Sequence, residues 1–330
     1  MRISIETLMK LANDQVTQRA KKEPDVTAVY LYGSLLGDDP LVGSTGDIDL
    51  VFIHGQSMPE RREIVRITDD IHLDITHAGR DLYRQTRELR LNPWIGPVVN
   101  SCKILYDPQH IMDFVQASVR GQFDRADNVM QRAKKQHDHA RQIWFDLHAD
   151  SAKPDLEQVQ KYLRSVDHAA NAIAALSGSP LAERRFLQRF VERANLVGQP
   201  SLVGKLLGLI GGPQSSPEVL RALLPAWQHD YQSLTNPPER ISSHRFNYYY
   251  KAFETFLAPD QPYQAVLWPL LRTWTAAAED LPDTDRQPWE NALVQLGLAG
   301  EGYAVCIGEL DLFLDQVEET LETWSKKMGA

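Results

Sequence analysis

Hydrophobic and polar positions divide the chain into two textures. Through about residue 110, short apolar runs alternate with polar residues; beyond it, apolar residues recur three and four positions apart over long stretches. The first part opens with Ile5, Leu8, Leu11 and Val16 at helical spacing, which predicts an amphipathic helix over 3–20 packed on a sheet. Lys21 to Asp25, with a proline inside, ends that helix, and Val26–Tyr32 reads as a strand. A Gly33-Ser34 turn and a loop lead into a second strand that reaches Ile53. Residues 59–70 combine an early proline with Ile64, Val65 and Ile67 among charges and read as a helix, followed by a strand over 71–76. Residues 81–90 read as a charged helix and 92–97 as a loop or short capped segment. Lys103–Tyr106 then closes the sheet, and Asp107-Pro108 starts a new helix.

From there the helical period dominates, over 112–147, 156–176, 182–196, 217–234, 246–257 and 304–324. Lys153-Pro154, Ser177–Pro180, Gly211–Pro213 and Pro237-Pro238 mark loops, and no repeat of constant period is present. The expected class is α+β: an N-terminal mixed-sheet domain over 1–112, followed by an all-α helical bundle over 113–330.

Composition narrows the function classes. With 330 residues, 43% hydrophobic and 24% charged, the chain has enough apolar material for two cores. A net charge of −9 argues against general nucleic-acid binding, which needs a basic face. It suits a cationic acceptor, and equally a soluble protein with no such partner. The two cysteines, Cys102 and Cys306, lie far apart in apolar settings and read as buried thiols of a reducing compartment. No leader-like or membrane-spanning run is present, so a cytoplasmic location is expected.

Chemistry concentrates between Tyr30 and Ile53. Strand alternation sends Asp47 and Asp49 to one face, roughly 7 Å apart by strand rise, while Ile48 and Leu50 enter the core. Such a pair can hold a magnesium ion, whose remaining ligands are usually phosphate oxygens. Gly33 has no Cβ, so a phosphate can approach the backbone there, and Ser34 offers an N–H and a hydroxyl to it. A site clamping two metal ions also calls for a third carboxylate. Asp74 supplies it, with His72 and Thr76 on its face and Leu73 and Ile75 opposed; His77 falls on the opposite side.

Gly33-Ser34, a 12-residue gap, Asp47-Ile48-Asp49 and then Asp74 within an apolar strand resemble the signature of the DNA polymerase β-like nucleotidyltransferases. The order of a minimal catalytic domain and a long helical domain, with the Leu105-Tyr106-Asp107 stretch, is most similar to antibiotic nucleotidyltransferases of the aminoglycoside type. That resemblance implies transfer of a nucleoside monophosphate, AMP from ATP, onto a hydroxyl of a small acceptor, with release of pyrophosphate. It implies two magnesium ions on Asp47 and Asp49, with Asp74 as a further ligand or as the base. The implied acceptor is polyhydroxylated and cationic, with antibiotic resistance as the phenotype. A homodimer is open.

In such proteins the helical part supplies basic and aromatic groups to the nucleotide. Lys161 and Arg164, at i and i+3, and Tyr250 and Lys251 are the candidates; the competing readings are a solvated face and core aromatic packing. Arg141 and His148 read as a solvated helix face, and His137 and His139 do not face one another. Gly208–Gly212 lacks the lysine and serine of a phosphate-binding loop and reads as a helix end. Two rivals remain: a regulatory or antitoxin-like module of the same fold that binds without turnover, and an enzyme that adds nucleotides to protein or RNA.

Overall fold

The computed structural model describes residues 4–149 and 154–330. Ile3 and Lys153, on which a helix start and a loop were expected, lie outside them. The elements are α1 (Ile5–Lys22), β1 (Val26–Tyr32), β2 (Gly46–His54), β3 (Arg61–Arg66), β4 (Ile71–Gly79), α2 (Thr86–Leu91), α3 (Ile95–Ser101), β5 (Lys103–Tyr106) and α4 (Ile111–Arg120). Helices α5 (Ala126–Ala149), α6 (Leu156–Ala175), α7 (Phe186–Leu196), α8 (Ser201–Leu209), α9 (Pro217–Ser233), α10 (Phe246–Phe256), α11 (Leu267–Asp280), α12 (Gln287–Gln295) and α13 (Gly302–Met328) follow. This is the α+β class, a five-stranded mixed sheet followed by a helical region.

Two compact units emerge. One takes the chain through Arg125 together with His244–Ala252; the other takes Ala126–Ser243 with Phe253 onward. The first unit therefore runs past the change of texture near residue 112 and reclaims a segment from far along the chain.

In the first unit the strand order is β3-β4-β2-β1-β5, with β2 and β4 parallel and every other pair antiparallel. Ser4 caps α1 by accepting from the Thr7 N–H, and the helix lays Leu8, Ala12 and Val16 on one side of the sheet. Val29, Leu31, Ile48, Leu50, Phe52, Leu73 and Ile75 meet them there, all buried. On the other side, Ala28, Tyr30, Val51 and Ile53 are covered by Leu89, Val99, Met112 and Val119 from α2 to α4. The β2 positions nearer its start on that side, Asp47 and Asp49, are left for chemistry.

Two local expectations are corrected and a third is resolved. Arg61–Arg66 is an edge strand rather than a helix: its Ile64-Val65 pair suits a pleated edge, and β4 offers a partner. The Thr68 hydroxyl closes the β3–β4 turn by accepting from the N–H groups of Asp70 and Ile71. The expected helix over 81–90 divides into a 3-10 turn at Arg80–Tyr83 and α2. Of the loop or short capped segment expected over 92–97, the structure shows the capped one: Asn92 accepts from the N–H groups of Trp94 and Ile95, both at 2.9 Å, and starts α3, with Pro97 harmless in its first turn.

The helical unit pins its indoles. Trp144 donates to the Ile307 carbonyl, Trp227 to the Thr273 hydroxyl and Trp274 to the Asp230 carboxylate. Arg141 is not a solvated residue: it bridges Asp311 and Asp315 on α13, and His148 stacks on Trp144. Gly211, at φ 82°, turns the chain after α8, in keeping with a helix end there.

Candidate active site

The parallel pairing of β2 with β4 sets Asp49 directly opposite Asp74. With Asp47 two residues back on the same face, the three carboxylates place ligand atoms within 4.8 Å of one another. Asp47 and Asp74 are buried, and Asp49 is partly so. Burial, and then the charges of Asp47 and Asp74, push the Asp49 carboxyl well above the ordinary carboxylate range; Arg245 and Arg62 pull the other way. Tyr32, paired with Asp49 across β1 and β2, is held neutral by burial and by the same carboxylates.

Two arginines that the sequence reading did not single out complete the cluster. Arg62 lies on β3 two residues from Ile64, which faces Asp74, so alternation brings its guanidinium alongside. It donates to both Asp74 oxygens, from Nε at 2.7 Å and from Nη2. Burial opposes the Arg62 charge, but the hydrogen bond and charge of Asp74 outweigh it and raise its pKa. Arg245 precedes α10; its Nη1 donates to Asp74 Oδ2 at 3.0 Å, and its Nη2 lies 3.5 Å from Asp47 Oδ2. It is buried under Tyr248, with its guanidinium carbon 4.8 Å from the ring centre. A strand reading of Arg61–Arg66 would have exposed the first arginine. The second adjoins the aromatic run Phe246–Tyr250 and carried no spacing signal of its own.

The segment around Arg245 is clasped to the start of β2 and to the β3–β4 turn. Lys251 Nζ pairs with Asp70 Oδ1 at 2.6 Å, Asn247 donates to the Asp69 carbonyl, and Tyr248 meets His72 edge to face. Lys251 is thus committed to a carboxylate, and Tyr250 stacks on Phe246 with ring centres 5.4 Å apart. On α6 in the helical unit, Lys161 pairs with Glu157 and Arg164 is exposed.

Gly33 takes φ 80° and ψ −155°, a region that side chains other than hydrogen scarcely enter. A Cβ built there would lie 2.0 Å from Asp49 Oδ2. The glycine therefore makes room for a carboxylate as well as for any phosphate. Next to it, the Ser34 Oγ is buried with no hydrogen-bond partner, a donor left open at the turn. Gly33→Ala is expected to force Asp49 aside and to strain the backbone by about 1–3 kcal/mol. A melting curve matching the parent's would refute this.

No family model matches this sequence, and no curated protein does. A solved structure described as a nucleotidyltransferase-like protein from Exiguobacterium sibiricum 255-15 is similar at 10% identity with a TM-score of 0.29, over 94% of this chain and 91% of that one. At that score too little is superposed to carry function from one protein to the other.

Proposed function

We propose that this protein is a magnesium-dependent nucleotidyltransferase. One observation carries the reading: three carboxylates from adjacent parallel strands converge beside a glycine turn whose serine hydroxyl is buried and unpaired. The donor set is all oxygen, which suits a hard cation and not zinc or copper. Asp47 and Asp49 would hold magnesium, with Asp74 beside them; the metal would neutralise the phosphates and polarise the bond to the leaving pyrophosphate.

The chain's own groups do the positioning. Ser34 donates to a phosphate oxygen, and the open Gly33 backbone lets that phosphate approach. Arg62 and Arg245 fix the Asp74 carboxylate and bring positive charge to the site. Both Asp74 oxygens already accept from guanidinium groups, an arrangement that favours positioning over the role of base for Asp74. The nucleotide proposed is ATP, and the acceptor a small polyhydroxylated cation of the aminoglycoside type, for which the net charge of −9 provides a general attraction.

The binding-only reading draws on Arg245, whose pairing with Asp74 and Asp47 supplies positive charge where a metal would otherwise sit. One assay separates the two. The protein is incubated with each NTP, magnesium and a panel of cationic and neutral acceptors, and the acceptors are followed by mass spectrometry. A nucleotide-sized mass gain supports transfer; NTP binding without any gain favours the regulatory module. Ser34→Ala is expected to weaken NTP binding by about 1.5–3 kcal/mol, the usual worth of a hydrogen bond to a charged group. Equal affinity of parent and variant by calorimetry would remove Ser34 from the site.

A further inference from the structure

On the sheet face opposite the three aspartates, where α1 packs, β2 and β4 each carry a buried histidine near their ends, His54 and His77. His54 Nε2 and His77 Nδ1 lie 2.9 Å apart. Their outer nitrogens both face carboxylates: His54 Nδ1 is 3.5 Å from Asp25, and His77 Nε2 is 3.4 Å from Glu63. Glu63 is itself gripped by Arg19 through two hydrogen bonds of 3.0 and 3.1 Å.

Proton counting shows what this arrangement lacks. A neutral imidazole carries one N–H and one lone pair. If both outer nitrogens carry the proton toward their carboxylates, the two inner lone pairs confront each other at hydrogen-bond distance. If instead a proton lies between the rings, one outer lone pair confronts a carboxylate. One neutral arrangement, with His54 Nε2 donating to His77 Nδ1 and His77 Nε2 donating to Glu63, satisfies both hydrogen bonds but leaves the His54 Nδ1 lone pair 3.5 Å from the Asp25 carboxylate; a cation between the rings, with both outer nitrogens protonated, removes that opposition as well. Glu23, at the end of α1, brings a carboxylate oxygen within 4.8 Å of both imidazole ligand atoms. Its side chain makes no hydrogen bond or ion pair among the described residues.

We propose that His54, His77 and Glu23 form a site for a borderline divalent cation of the zinc type, separate from the carboxylate site across the sheet. Two imidazoles and one carboxylate are a ligand set that zinc takes readily and magnesium does not. Zinc–nitrogen bonds of about 2.0–2.1 Å at a tetrahedral angle set two nitrogens roughly 3.3 Å apart, a few tenths of an ångström from the spacing present. Asp25 and Glu63 act as the outer carboxylates that fix which nitrogen of each ring is presented to the metal. The cation would tie the α1–β1 connection to the ends of β2 and β4, a structural staple distant from the chemistry.

The test uses the untagged full chain, stripped with a chelator and then titrated with zinc by calorimetry and with cobalt(II) by visible absorption. One equivalent is expected to bind, with a rise in melting temperature and cobalt bands of an imidazole site. Glu23→Gln and His77→Gln are expected to lose about tenfold or more in affinity. Asp49→Asn should keep the zinc equivalent. Circular dichroism of the apo variants checks their folding, and Glu23, only half-buried, provides the substitution least costly to the fold. The proposal is overturned if zinc does not bind, if binding is unchanged in both variants, or if the equivalent disappears in Asp49→Asn instead. It also falls if the imidazole NMR signals show an extra proton taken up between the rings while zinc is ignored.

Discussion

Asp49→Asn is expected to abolish nucleotidyl transfer while raising the stability of the metal-free protein. The loss follows from removing a charged oxygen from the proposed metal platform, worth several kcal/mol of transition-state stabilisation and so on the order of a thousandfold in rate. The gain follows from electrostatics: Asp49 is pushed above the ordinary carboxylate range by burial and by Asp47 and Asp74. A carboxyl whose folded pKa is raised binds its proton more tightly when folded. Its ionisation therefore costs stability progressively as pH rises from the unfolded value through the folded one. Asparagine does not ionise, so the difference in melting temperature, variant minus parent, should be small in acid and widen toward neutral pH. Magnesium should narrow it again by stabilising the parent alone. Transfer activity within a few-fold of the parent would sink the catalytic assignment. A difference independent of pH would sink the electrostatic one.

Arg245→Met is expected to be the costliest single change at the site for the fold itself. Arg245 is buried against Asp74 and Asp47, and removing a buried cation from beside the three carboxylates leaves the half-exposed Arg62 to offset them, at about 3–5 kcal/mol. Methionine fills much of the same stem volume, so the loss reports charge more than packing. Arg62→Met should cost less although Arg62 also bonds Asp74, because its side chain is 40% exposed and water can take its place. Urea unfolding of both variants, each alone and with Asp74→Asn, measures the coupling. If the Arg245 variant loses no more than the Arg62 variant, burial is not what sets the strength of these pairs. Loss from Arg245→Met should also shrink in the Asp74→Asn background, since one of the carboxylates Arg245 offsets is then absent.

Much of this architecture was legible because it depends on alternation. The strand Val26–Tyr32, the strand bearing Asp47 and Asp49, Asp74 on its neighbour and Lys103–Tyr106 all follow from period two, and the structure pairs them in one sheet. What escaped had no such signature. Ile64, Val65 and Ile67 satisfy a helical and an extended pattern equally over so short a run, and only the free edge of β4 decides between them. Missing that strand hid Arg62. Arg245 could not be found locally, since its partner Asp74 is 171 residues away in sequence. Among the helices, α11 was unread because Leu267, Trp268, Leu270, Leu271 and Trp274 are buried nearly all round, leaving no polar stripe to give a period. α8 carries Gly204 and Gly208 and α12 opens with Gln287-Pro288, so both are short and weakly marked. The aromatic and basic run Tyr248–Lys251 stands out in the sequence as a nucleotide contact, but its lysine pairs with Asp70.

The return of His244–Ala252 to the sheet has a consequence for how the protein is made. A ribosome emits the acidic strands early and Arg245 only after the greater part of the helical unit has been synthesised. For that interval the nascent sheet carries Asp47, Asp49 and Asp74 with Arg62 bonded to Asp74 and Arg245 still to come. Chain closure over such a span adds little free energy, about 0.6 kcal/mol for each doubling of loop length, so thermodynamics does not forbid the late arrival. Timing is what it imposes: the acidic half-site waits, and a polypeptide released before residue 244 would hold the acids with Arg62 but without the buried Arg245 that pairs with Asp47 and Asp74.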